Sequence, residues 1–282
     1  GHEPVTASAQ RSGLIATAGA HAPVLDQATP DITDEGDEII LPAPYWTTYP
    51  EAIALADGVP VEVFAGADQD YKVTVAQLEA ARTERTTALV FVSPSNPTGS
   101  VYTPEETAAI GQWALEHGIW VISDEIYHGI SFDRPTDSAW QFGRESVVVG
   151  SLSKYQSMTG WRVGWLLVPD ALRRPVELLQ GNLAICAPAI SQAAGVAAFG
   201  PDARAELDGH VRRYAANRDL LLARLPELGI TSFAPPDGAF YAWCDIGHLT
   251  DDSQAWCAGV LAATGVALAP GIDFDPVDGH RF

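Results

Sequence analysis

Ser151-Leu-Ser-Lys154-Tyr-Gln-Ser-Met-Thr-Gly160-Trp-Arg162-Val-Gly164 is the stretch on which the reading of this chain turns. Lys154 is one of only two lysines in 282 residues. It follows an apolar β-branched run, Val147-Val-Val-Gly-Ser151, and precedes a Gly/Arg segment that leads into a second apolar run. An amine at the mouth of a buried strand is partly stripped of water, which lowers its pKa and makes it a usable nucleophile. Around it, a Ser-rich turn and an arginine eight residues on supply the donors that a phosphate needs.

Working outward, the flanking sequence alternates short apolar runs with longer helix-like ones. Strands are expected at Leu14–Thr17, Glu38–Pro42, Val59–Phe64, Ala88–Ser93, Trp120–Ser123, Ser146–Gly150 and Gly164–Val168. Helices are expected between them, at Ala22–Thr29, Tyr49–Ala56, Val75–Thr83, Pro104–Glu116 and Pro169–Leu179. Thr103-Pro104-Glu105-Glu106 starts its helix with a Thr cap, a proline in the first turn and acids near the positive dipole end, and Gly118 stops it. Such alternation predicts an α/β fold with a mostly parallel sheet. After Gln180 the character changes to a long helical region, Pro188–Leu225, broken near Gly200-Pro201. Extended segments at Ile230–Phe233, Gly238–Asp245 and Val266–Leu268 and a helix near Ser253–Thr264 follow. These predict a smaller α+β unit.

The bulk numbers narrow the function. A 47% hydrophobic content allows a sizeable core, and a net charge of -20 argues against nucleic acid or an anionic membrane surface as partner. A phosphate would therefore need a local positive pocket. Cys186, Cys244 and Cys257 have no metal-ligand spacing and read as small buried residues in a reducing compartment. No metal site is expected. No apolar run is long enough to span a bilayer, so a cytoplasmic protein is expected.

Four further sites fall at the ends of candidate strands, where open α/β sheets bind ligands. Thr17-Ala-Gly-Ala20-His21 is a small-residue turn whose backbone N–H groups suit a phosphate, although a plain strand–helix connection would look the same. Pro42-Ala-Pro-Tyr45-Trp46 offers an aromatic to stack on a planar ring, or to pack in the core. Ser93-Pro-Ser-Asn96-Pro-Thr-Gly99 aims an amide from a stiff loop. Ser123-Asp124-Glu125-Ile-Tyr127 puts a carboxylate at the exit of a buried strand, where it needs a cationic partner such as a protonated pyridine nitrogen or else caps a helix. Lysine, hydroxyls and arginine together suggest pyridoxal 5'-phosphate, a phosphorylated aldehyde that a lysine holds covalently.

Taken together, these segments resemble the fold-type I pyridoxal-phosphate enzymes, and within them the aspartate aminotransferase-like class I/II aminotransferase family. The match is carried by Ser151-Leu-Ser-Lys154, Met158-Thr-Gly-Trp-Arg162-Val-Gly164, Pro94-Ser-Asn96-Pro-Thr-Gly99, Ser123-Asp124-Glu125-Ile-Tyr127 and Ala43-Pro-Tyr45-Trp46. Asp237-Gly-Ala-Phe240-Tyr241 and Gly265-Val-Ala-Leu-Ala-Pro270-Gly271 extend it downstream. The resemblance implies that Lys154 holds the cofactor and shuttles the substrate proton. Asp124 would pair with the ring nitrogen, while Asn96 and Tyr127 would bind the phenolic oxygen. Trp46 would stack on the ring, and Ser151, Arg162 and the backbone at Ala20 and His21 would take the phosphate, with Ser153 assisting.

It also implies a three-layer cofactor-binding large domain over residues 13–200 and a smaller, incomplete C-terminal α+β domain over 201–282, with 1–12 unassigned. The expected activity is a ping-pong aminotransferase, homodimeric, acting on an amino acid and a 2-oxo acid. Residues around Lys154 alone leave open another pyridoxal-phosphate reaction of lyase, cyclase or oxidase type, or a non-catalytic protein of this fold. Family members carry an N-terminal arm that has little counterpart here. Their substrate-carboxylate arginine lies in a strand just after the Pro-Gly turn, a position the resemblance puts slightly beyond Phe282, with Arg281 as the alternative. Lys72 lies in no motif and is expected to face solvent.

Overall fold

A computed structural model of the chain describes residues 14–17, 32–141 and 146–282. The seven expected strands all form, as β1 (Leu14–Thr17), β2 (Glu38–Ala43), β3 (Val59–Phe64), β4 (Thr86–Val92), β5 (Trp120–Asp124), β6 (Val147–Ser151) and β7 (Gly164–Leu167). They make one sheet in the order β1-β7-β6-β5-β4-β2-β3. β3, β2, β4, β5 and β6 are parallel, while β7 runs antiparallel to both β6 and β1. The mostly parallel α/β sheet expected from the alternation is thus present. β6 ends one residue later than expected because Ser151 still pairs with Gly164.

Side-chain alternation along the strands sorts the core into two layers. Ile39, Leu41, Ala88, Val90, Ile122, Val147 and Val149 face helices α1 (Thr48–Leu55) and α4 (Asp170–Leu183), through Tyr49, Ile53, Leu172 and Val176. On the other face, Ile40, Leu89, Phe91 and Val121 pack on α2 (Val75–Ala81) and α3 (Pro104–His117), through Leu78, Ile110 and Trp113. Each such large side chain stabilises the fold by roughly 1.5–3 kcal/mol through burial. The result is helix–sheet–helix, three layers deep.

α3 illustrates how local sequence sets an element. The Thr103 side chain accepts from the Glu106 N–H, the Glu106 carboxylate accepts from the Thr103 N–H, Pro104 opens the first turn, and Gly118 closes the helix at φ 67°. Glu106 has a second task that the sequence did not announce. Its carboxylate binds the Lys72 amine at 2.7 Å, and the Lys72 side chain is only 11% exposed. Lys72 therefore does not face solvent, because the ion pair and the Tyr102 ring 5.9 Å away hold it down.

Beyond α5 (Ala189–Ala198) and α6 (Pro201–Arg224), which break at Gly200 as expected, the chain is less regular than its sequence suggests. Ile230–Phe233 and Gly238–Asp245 meet in a single bridge, Phe233 to Cys244, and no ladder follows. Their backbone is used elsewhere: Gly238 N–H donates to Gly99 at 2.8 Å, Ala239 N–H to Ile130 at 2.9 Å, and Asp237 accepts from Phe132 N–H at 2.7 Å. Val266–Leu268 also finds no strand partner among the described residues, and α7 (Ser253–Thr264) precedes it as expected. The three cysteines are free, but only Cys257 is buried; Cys186 is exposed, contrary to the expectation for all three.

Candidate active site

Parallel strands put their C-terminal ends on one edge of the sheet. The loops after β2, β4, β5 and β6 leave from that edge, and the antiparallel β7 brings its N-terminal end there through the Ser151–Gly164 pairing. Trp46, Asn96, Asp124, Tyr127, Ser151, Lys154 and Arg162 all belong to these loops or strand ends. Ala20 and His21, and the helix expected at Ala22–Thr29, lie outside the described residues.

Asp124 ends β5 with 0% exposure. Its Oδ2 accepts from the Tyr49 hydroxyl at 2.8 Å and its Oδ1 from the Ile126 N–H at 3.2 Å. Burial, then the charge of Asp124, pushes the Tyr49 phenol well above its ordinary value, so Tyr49 remains a donor. These bonds help aim a carboxylate that water does not reach.

Lys154 lies three residues beyond β6 and is partly buried. Its amine sits over the Tyr127 ring, 5.6 Å from the centroid, and 6.0 Å from that of Phe240. Burial lowers its pKa from 10.5; the charge of Asp124 opposes that shift and that of Arg162 adds to it. The amine is therefore easier to deprotonate than an exposed lysine, with a buried carboxylate near enough to be felt.

The turn around Lys154 is built from its own hydroxyls. Ser153 N–H donates to Ser151 Oγ at 3.0 Å, and the Ser151 hydroxyl lies 2.9 Å from Ser153 Oγ and 3.2 Å from the Val163 carbonyl. Thr159 Oγ1 donates to the Ser153 carbonyl at 2.7 Å. Arg162 stands at φ 54°, a left-handed conformation uncommon for a side chain of its size, and donates to the Thr159 carbonyl at 2.8 Å. The Ser151 and Ser153 hydroxyls and the Arg162 side chain are thereby each fixed within the connection from β6 to β7.

Asn96 is buried at 4% exposure and bonds the Tyr127 hydroxyl. Tyr127, itself buried, meets a second phenol, Tyr241, at 2.5 Å between hydroxyl oxygens. Trp46 is partly buried, packed on the core layer beneath α1, with the Phe274 ring 6.1 Å from it.

The family model described as aminotransferase class I and II matches residues 2–275. The chain belongs to that family. Among curated proteins it is 47% identical over 251 residues to the valine–pyruvate aminotransferase of Mycobacterium tuberculosis, covering 88% of this chain and 64% of the relative. It is 40% identical over 275 residues to an aspartate aminotransferase of Streptomyces avermitilis, covering 93% and 67%. The chain thus spans about two thirds of the length of these relatives. Among solved structures, an aminotransferase from Mycobacterium tuberculosis superposes at a TM-score of 0.93 with 43% identity, covering 99% of this chain and 74% of that one. The Thermus thermophilus aspartate aminotransferase with maleate superposes at 0.89 with 32% identity, covering 96% and 72%.

On this aminotransferase fold, the residues singled out from sequence and included in the described segments share one edge of the sheet. Tyr49 was missed; it sits on a helix three residues after Trp46, in no motif. Phe240 and Tyr241 were noted only as a landmark, and nothing local says that they reach Lys154 and Tyr127 across the chain. Arg281, the candidate carboxylate clamp, is paired with Asp245 at 2.8 and 3.1 Å. His128 lies 3.4 Å from Glu125, whose carboxyl is raised by burial against that histidine's opposing charge.

Proposed function

We propose that this chain is a pyridoxal-phosphate-dependent aminotransferase that moves an amino group between an amino acid and a 2-oxo acid. The observation that carries the reading is the Lys154 amine, lowered by burial, on the same sheet edge as the fully buried carboxylate of Asp124. The donor set suits the cofactor: a buried anion for a ring cation, an amide and a phenol for a phenolic oxygen, and hydroxyls with a guanidinium for a phosphate.

Bound there, pyridoxal phosphate would supply an electron sink for the charge left on the substrate α-carbon. Asp124, aimed by Tyr49 and the Ile126 amide, would hold a proton on the ring nitrogen. Asn96 and Tyr127 would donate to the phenolic oxygen, and Trp46 would cover one ring face. Ser151 and Arg162, with Ser153 and the backbone at Ala20 and His21, would bind the phosphate. Lys154 Nζ would take the proton from the substrate α-carbon and return it, a task suited to an amine that is easily deprotonated. Phe240 and Tyr241, over Lys154 and Tyr127, would limit water at the reacting carbon.

The names of the relatives differ in their amino acid, so the reading rests on the chemistry they share. We place the division between a cofactor-binding and a C-terminal domain near residue 200, where α5 gives way to α6. A homodimer in the cytoplasm is part of the same proposal, supported by the family resemblance. No helix among the described residues is long and apolar enough to cross a membrane.

The test is a visible absorbance spectrum with added pyridoxal phosphate, followed by titration with single amino acids. A protein-dependent band that converts to the pyridoxamine-phosphate spectrum with an amino donor alone supports transamination. A band that no amino acid converts would sink the assigned reaction, and no band at all would sink the assignment of Lys154.

A further inference from the structure

Tyr127 and Tyr241 are 114 residues apart in sequence, yet their hydroxyl oxygens are 2.5 Å apart. One follows β5; the other follows Pro235-Pro236 in the C-terminal part. The segment carrying Tyr241 has little freedom. Three backbone hydrogen bonds, from Gly238 to Gly99, Ala239 to Ile130 and Phe132 to Asp237, fasten it to the loops after β4 and β5. A Cβ on Gly238 would lie 2.8 Å from Pro94 and 2.9 Å from the Ile130 carbonyl, so only glycine fits that crossing. Ala239 is held at φ 56°. Backbone geometry thus delivers the Tyr241 hydroxyl to Tyr127.

A phenol has one hydrogen to give and two lone pairs to fill. At the Tyr127 oxygen the Asn96 amide occupies one lone pair. A hydrogen donated by Tyr241 would fill the second, leaving the single Tyr127 hydrogen for an acceptor elsewhere. We propose that Tyr241 is a positioning residue: it donates to Tyr127 and so directs the Tyr127 hydrogen to the phenolic oxygen of the bound pyridoxal ring. This rests on the reading of the site given above. The groups facing the pair are Asp124, Tyr49, Lys154, Asn96 and Phe240. Burial first keeps both phenols above their ordinary range, helped at Tyr127 by the neighbouring Tyr241 and then Asp124, and at Tyr241 by Asp124 against the opposing hydrogen bond with Tyr127, so both carry their hydrogen at neutral pH.

A donor to Tyr127 strengthens the bond that Tyr127 makes in turn. That bond stabilises negative charge on the ring oxygen and lowers the pH at which the visible band of the loaded protein changes form. The experiment is a spectrophotometric pH titration of pyridoxal-phosphate-loaded wild type, Tyr241→Phe, Tyr127→Phe and the double variant. Tyr241→Phe is expected to raise the midpoint by about half a pH unit. Tyr127→Phe should raise it further, and the double variant no more than Tyr127→Phe alone. An unmoved midpoint in Tyr241→Phe, or additive shifts in the double variant, overturns the proposal. Should Tyr241→Phe not fold, 3-fluorotyrosine at 241, a stronger donor, is expected to lower the midpoint, and a rise overturns the proposal.

Proton NMR of the protein before the cofactor is added separates the two readings. A downfield hydroxyl proton, lost in either Phe variant, is expected from the short contact. If wild type gives no visible band, the aminotransferase reading fails on its own terms. The absence of that proton overturns the phenol pair whether or not a band forms.

Discussion

Tyr49, on a helix of one face of the sheet, donates a 2.8 Å hydrogen bond to Asp124 at the end of the central strand β5. Both side chains are buried, so water does not replace the bond if the hydroxyl is removed. Tyr49→Phe keeps the ring in the core and leaves the carboxylate short of a donor. The expected cost is about 1–3 kcal/mol of stability, read as a lower denaturation midpoint in urea. An unchanged midpoint would show that the carboxylate does not depend on the Tyr49 hydroxyl.

Asp124→Asn preserves shape and one acceptor but removes the charge. The electron sink of a bound pyridine ring depends on that charge, so turnover with an amino donor should fall on the order of a hundredfold or more. Single-turnover kinetics of the loaded variant checks this, and a loss confined to KM would contradict the role given to Asp124.

Lys154 carries a linkage prediction independent of turnover. Its folded pKa lies below the unfolded 10.5, so the unfolded chain binds more protons between the two values and stability rises with pH across that window. Below the folded pKa the charged amine costs stability. Lys154→Met removes that cost, so the variant gains on wild type at neutral pH and the gain disappears as pH approaches 10.5. Parallel urea melts from pH 7 to 10 measure the difference, and a gain that grows with pH contradicts the direction. The same variant loses the visible band.

In the sheet, Gly150 lies opposite Trp165 on β7. A Cβ on Gly150 would fall 2.2–2.5 Å from the indole, so Gly150→Ala is expected to destabilise by roughly 1–3 kcal/mol through overpacking. Trp165→Ala in the same chain should recover part of that loss, because the two atoms compete for one space. Thermal melts of the two single variants and the double test this, and additive losses would rule out the clash.

The fold was legible from sequence where the information is local. Strand positions came from β-branched apolar runs, and α3 from a Thr–Glu capping box with proline at its start and glycine at its end. Reading failed in the C-terminal part for a definable reason: Gly238 and Ala239 spend their N–H groups on Gly99 and Ile130, so an apolar run that could have paired as a strand does not. Lys72 was misplaced for a similar reason, since Glu106, its partner, lies 34 residues on and reads locally only as a cap.

By itself, then, the sequence determined that a lysine would stand at the mouth of a buried strand, among hydroxyls and an arginine, in a mostly parallel α/β sheet. Each of those statements follows from periodicity, turn chemistry and motifs spanning a dozen residues or so. Tertiary structure alone decided which second groups hold the site's chemistry. Tyr49 reaches Asp124 across 75 residues, and Tyr241 reaches Tyr127 across 114. No local pattern encodes such contacts, because they depend on how a helix layer and a C-terminal segment settle on the sheet edge. There, burial turns ordinary phenols, an amine and a carboxylate into a coupled set.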